Sequence, residues 1–111
     1  MFGNLFGKKN DQSISPREVK EKLDRKDNFL LFDVRGQDEY ARGHLEHSIS
    51  LPLESLVNHI SKYTRTKETE IVVYCQSGAR STRAASELSR MGYKNVKNMG
   101  GIYSWPYSVV R

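Results

Sequence analysis

The chain holds a single cysteine, and its neighbours set what that thiol can do. Cys75 opens the run Cys75-Gln76-Ser77-Gly78-Ala79-Arg80-Ser81. Before it come Ile71-Val72-Val73-Tyr74, apolar without polar alternation, the pattern of a strand buried on both faces. After it Ala84, Ala85, Leu88 and Met91 recur at helical spacing, which predicts a helix from Arg80 to Met91 with Gly92 as its stop. A loop running from a strand end into a helix start aims several backbone N–H groups inward, and the helix adds a partial positive charge. Gly78 permits the angles that let those amides converge. Arg80 brings a permanent cation to the same bowl. Every neighbour favours an anion, so the thiol is expected to ionise below the free-cysteine value of about 8.5 and to act as a nucleophile. The rival reading, a small buried hydrophobe, sits badly with polar, glycine-containing neighbours that lead straight into a helix.

Other chemistry-bearing residues receive supporting roles. Asp33 and Arg35 close an apolar strand and are expected to form an ion pair that holds the following loop; with Ser81 they make up a supporting pocket. Arg80 acts through its side chain or, the preferred reading, caps the loop by hydrogen bonds to carbonyls, since an arginine fork suits bridging. Glu39 and Arg42 read as solvated or paired helix charges. A thiolate needs no general base, so His44 is given a structural role. His47 and His59 lack cysteine or carboxylate companions at ligand spacing, so no metal site and no cofactor are expected. Trp105 with Tyr103 is expected to pack the C-terminal end against the sheet.

Stepping along the chain gives the elements that must position these groups. Ser15-Pro16-Arg17-Glu18 is a helix start with cap, first-position proline and capping-box glutamate, and the helix should end near Asp27. Phe29 to Val34 is a second apolar run, closed by the charge of Asp33, and reads as another central strand. Gln37 to Arg42 make a short helix stopped by Gly43, Ser48 to Leu51 a short strand closed by Pro52, and Glu54 to Tyr63 a further helix. Tyr93 to Met99 form the last strand, after which Gly100-Gly101 turn the chain into Ile102-Tyr103-Ser104-Trp105. Apolar strands alternating with helices imply an α/β fold with an open, mainly parallel central sheet and helices on both faces. Ligands of such sheets bind beyond the carboxyl ends of the strands, where Asp33 and Cys75 both fall.

Asp33-Val34-Arg35, Gly43-His44-Leu45, Leu51-Pro52-Leu53, the cysteine loop and Gly100-Gly101-Ile102-Tyr103-Ser104-Trp105 occur in that order, and together they resemble a single-domain rhodanese from about Ser13 onward. The resemblance implies a rhodanese-like fold and a thiosulfate:cyanide sulfurtransferase-like enzyme. Cys75 would take sulfane sulfur from thiosulfate or a persulfide, hold it as a persulfide, and pass it to a thiol or cyanide, or to a sulfur-relay protein. Gln76, Ser77, Gly78, Ala79 and Arg80 would bind the charged sulfur mostly through their backbones. Two departures stand out. Gln76 occupies a position often basic in rhodaneses that favour thiosulfate, and His47-Ser48 replaces small residues at a turn. A persulfide carrier or regulatory module with little turnover is an alternative. A phosphatase or arsenate reductase is a weaker one, because only four residues separate Cys75 from Arg80 where related phosphatases have five.

With 111 residues the chain suits one domain with a single core. Residues 1–12 read as a flexible tail and 13–111 as the domain, the rival for Phe2, Leu5 and Phe6 beside Lys8 and Lys9 being a weak membrane-surface or partner contact. No apolar run is long enough to span a membrane. One cysteine fits a reducing, cytoplasmic setting and leaves no second thiol to resolve a Cys75 adduct, so turnover needs an outside acceptor. The net charge of +5 is scattered, without a basic stripe interleaved with aromatics, which argues against nucleic acid; solvated surface charge is the preferred reading, and a general attraction for small anions would help an enzyme whose substrates are anionic.

Overall fold

The computed structural model describes residues 12–111, so the expected tail lies outside the described residues except for Gln12. Helix α1 spans Pro16–Arg25. The Ser15 hydroxyl accepts from the Glu18 amide at 3.1 Å, and the Glu18 carboxylate accepts from the Ser15 amide at 2.9 Å. Such a cap is worth about 1 kcal/mol. Lys26, in the left-handed region at φ 59°, ends the helix one residue before Asp27.

Strand β1 (Leu30–Asp33), helix α2 (Gln37–Arg42), strand β2 (Ile49–Ser50) and helix α3 (Leu53–His59) follow. A tighter 3-10 turn, Ile60–Lys62, carries α3 on to the expected end at Tyr63. Strand β3 (Ile71–Cys75), helix α4 (Ala79–Arg90) and strand β4 (Val96–Gly101) complete the regular elements. The sheet is wholly parallel in the order β2-β1-β3-β4.

All five residues of β3 are buried, as an unalternating apolar run requires. Ile71, Val73 and Cys75 face one core with Leu56 of α3 and Ala84, Ala85 and Leu88 of α4. Val72 and Tyr74 face the other, with Val19 of α1, Leu45 and Trp105. Short α2 buries no residue and is held by polar contacts at the rim.

Two expectations are corrected. Gly100 and Gly101 do not turn the chain; they extend β4, pairing with Tyr74 and Cys75 beyond a bulge at Val73/Tyr74. Trp105 packs as expected, and its indole donates to the Ser108 carbonyl at 3.1 Å. Tyr103 does not join it: its side chain is 77% exposed, and Tyr107 makes the edge-on contact with the Trp105 ring instead. The 3-10 turn Ile102–Ser104 rotates Tyr103 outward while Ile102 packs on the core. His47 sits in the left-handed region at φ 69° in the turn that Ser48 closes onto Leu45.

Candidate active site

Strand β3 ends on Cys75 and α4 begins at Ala79, so only Gln76, Ser77 and Gly78 lie between. Gly78 caps the helix at φ 112°, a region glycine adopts without strain. The turn brings two amides onto one sulfur: Gly78 N donates to Cys75 Sγ at 3.0 Å and Ser81 N at 3.3 Å. The thiol in turn lies 3.5 Å from the Ser81 hydroxyl. That hydroxyl also faces the carbonyls of Gly78 and Gly100, at 3.1 and 3.4 Å. Rotating its proton toward the sulfur supplies a third donor once the thiol ionises.

Burial is the largest influence on Cys75 and opposes its ionisation. Hydrogen bonds from the Ser81 hydroxyl and amide and from the Gly78 and Ser77 amides outweigh it, so the thiol ionises below its ordinary value. The residue is 1% exposed, at the floor of the loop. Converging N–H donors of this kind stabilise negative charge on a buried sulfur.

The supporting residues fall into two ion-pair systems. Buried Asp33 accepts from Arg35 Nε at 3.0 and 3.1 Å and from its terminal nitrogen at 2.7 Å. Arg35 then donates to the Gly43 carbonyl at 2.7 Å and to Gln76 Oε1 at 3.2 Å. The expected Asp33–Arg35 pair is present, and it ties β1, the end of α2 and the cysteine loop together. Arg80 behaves otherwise than expected. It makes no hydrogen bond to a loop carbonyl, but forms a two-pronged pair with Glu39 at 2.7 and 3.0 Å. Glu39 is pulled down to about 2, first by that contact, and it also accepts from the Gly36 amide at 2.9 Å.

His44 is structural, as expected: its ring stacks on Tyr40 at 3.6 Å and donates to the Tyr40 carbonyl, while its backbone pairs with Val110. No group of three or more candidate ligands for a metal occurs among the described residues. Beside the loop opens a cleft of about 400 Å³ lined by Arg35, Glu39, Arg42, Gly43, Gln76 and Tyr103. A slightly larger groove, about 460 Å³, lies by Leu23, Phe29 and Leu31 and contains no residue of the cysteine loop.

Sequence reasoning missed Gly101. A Cβ there would overlap the Gln76 carbonyl oxygen and sit 2.8 Å from Ser77 Cα. The end of β4 therefore lies directly under the cysteine loop and admits only glycine. The signal was the Gly-Gly pair itself, which also reads as a turn.

The Rhodanese-like domain family matches residues 15–106. A sulfurtransferase of Allochromatium vinosum is 33% identical over 93 residues, covering 83% of this chain and 85% of its own. Thiosulfate sulfurtransferase 18 of Arabidopsis thaliana is 35% identical over 103 residues, covering 82% of this chain and 74% of its own. Among solved structures, a rhodanese with anions from E. coli superposes with a TM-score of 0.70 at 32% identity, covering 74% of this chain and 96% of that one. The parallel sheet, the amide-lined cysteine loop and these relatives lead to one conclusion: the chain belongs to the rhodanese-like domain family.

Proposed function

We propose that this chain is a sulfurtransferase in which Cys75 carries the transferred sulfur as a persulfide. The observation that supports it most directly is the pair of amide contacts on Sγ, at 3.0 and 3.3 Å, beside the Ser81 hydroxyl. The Cys75 thiolate attacks the outer sulfur of a donor, thiosulfate or a persulfide. The donor's S–S bond breaks, and its electron pair leaves with sulfite or a thiolate. The new S–S bond makes Cys75 a persulfide, whose outer sulfur an acceptor thiolate or cyanide then removes, returning the Cys75 thiolate. Each half-reaction moves negative charge through the same small volume, so fixed amide donors assist both. The chain offers no second cysteine, so the acceptor comes from outside. A thiolate nucleophile of this kind suits reducing surroundings such as the cytoplasm.

The burial of Cys75, at 1% exposure, also suits a carrier that shields its persulfide between encounters. One experiment separates the readings. The protein is incubated with thiosulfate or glutathione persulfide, its intact mass is measured, and thiocyanate is followed after cyanide is added. A mass gain of one sulfur atom with turnover, both lost in Cys75→Ala, is the expected result. A stable adduct without turnover would favour the carrier. Unchanged turnover in Cys75→Ala, or hydrolysis of a phosphate ester lost in that variant, would overturn the proposal.

A further inference from the structure

The two cations that contact the cysteine loop, Arg80 and Arg35, are paired before any substrate arrives. Arg80 is the only charged residue between Cys75 and Ser81, and both its terminal nitrogens are bound by Glu39. The Glu39 carboxylate also accepts from the Gly36 amide at 2.9 Å, a second tie on the pair. Arg35, which reaches the loop at Gln76, is spent on buried Asp33. Gln76, next to the nucleophile, is neutral. What surrounds the sulfur is therefore a set of dipoles with little net charge. Dipoles suffice for one negative charge on sulfur, whereas bringing a dianion beside a thiolate calls for an uncompensated cation.

The cleft beside the loop points the same way. At about 400 Å³ it has the size of a site for an organic molecule, and exposed Tyr103 gives it an aromatic wall. Arg42 also lines this cleft; among the described residues it pairs with exposed Asp38 at 3.9 Å and makes no hydrogen bond or ion pair with the cysteine loop.

We propose that Glu39 is a specificity-determining residue: by holding Arg80 it makes the site select an organic persulfide over the thiosulfate dianion as sulfur donor. This rests on the sulfur-transfer reading above. In the favoured step the Cys75 thiolate forms a bond to the outer sulfur of R–S–SH. The R–S bond to that sulfur breaks, R–S⁻ leaves with the electron pair, and the outer sulfur with its proton remains on Cys75. Only one negative charge is present throughout the bowl. With thiosulfate, the same displacement starts and ends with three.

The test compares kcat/KM for thiosulfate and for glutathione persulfide, with cyanide as acceptor, in the full chain, in Glu39→Gln and in Glu39→Gln/Arg80→Gln. The thiosulfate-to-persulfide ratio is expected to rise about two- to fivefold in Glu39→Gln, the effect of one uncancelled, partly exposed charge. The gain should lie mainly in the KM for thiosulfate and disappear in the double variant. An unchanged or lower ratio, or equal loss of both donors, would overturn the proposal and leave Glu39 a purely structural tie. Gln76→Lys keeps the pair and adds a cation, so it decides the question if Glu39→Gln does not fold: a raised ratio supports the proposal and an unmoved one sinks it. Absence of any Cys75 adduct in the unaltered protein would instead bring down the sulfur-transfer reading itself.

Discussion

A thiol shut away from water ordinarily keeps its proton, because burial removes the solvation that a thiolate needs. At Cys75 the opposing force comes from donors placed by a three-residue turn, and Ser81 supplies two of them, amide and hydroxyl. Ser81→Ala removes the hydroxyl and spares the amide. The expected result is a thiol that ionises at higher pH and alkylates about tenfold more slowly near neutrality, since one hydrogen bond to a charged group is worth at least about 1.5 kcal/mol. The sign follows from the nucleophile being the deprotonated form: rate rises with pH through the thiol's ionisation, and losing a donor shifts that rise toward alkaline values. Iodoacetamide alkylation measured against pH checks it, and an unmoved profile would mean that the amides alone hold the thiolate.

Between elements the decisive contact is β4 beneath the loop that joins β3 to α4. Gly100, at φ 96°, and Gly101 carry the strand past its bulge and up against Gln76 and Ser77. The atoms a Cβ at Gly101 would meet are backbone, which cannot swing aside as a side chain can. Gly101→Ala is therefore expected to displace the loop, lowering kcat/KM at least about tenfold while costing only about 1–3 kcal/mol of stability. At Gly100 an added Cβ meets nothing within 4 Å, so strain at positive φ is the main consequence of Gly100→Ala and activity should fall less. Paired steady-state kinetics and urea melts of the two variants test this ordering. Equal activity losses would argue against the close approach as the cause. The Glu39–Arg80 bridge acts at the same scale, fastening α2, which buries nothing of its own, to the first turn of α4.

Over the whole molecule, one buried ion pair gathers the carboxyl edge of the sheet. Asp33 is fully buried, and Arg35 reaches from it to Gly43 and Gln76. Asp33→Asn leaves a guanidinium in the interior without its counter-charge, which is expected to cost about 3–5 kcal/mol. The urea midpoint should fall accordingly, and a variant as stable as the parent would show that the pair is not the tie inferred here. Two cores flank the sheet and hold this edge in place, and the first turn of α4 brings Arg80 and Ser81 to the site.

Much of this was legible along the chain because it depends on local pattern. Unalternating strands, the Ser15 cap and a cysteine placed just ahead of a helix follow from short-range sterics and hydrogen bonding, and they predicted the parallel α/β sheet and the amide bowl. What the order of residues could not disclose were the meetings across large sequence separations. Arg80 finds Glu39, Gly101 slides under Gln76, and Tyr103 turns to water while Tyr107 takes its place beside Trp105. Each depends on which surfaces face one another once the sheet has closed. Local propensity thus determined where the thiol and its amide bowl would lie, and tertiary packing alone decided which charges are paired around it.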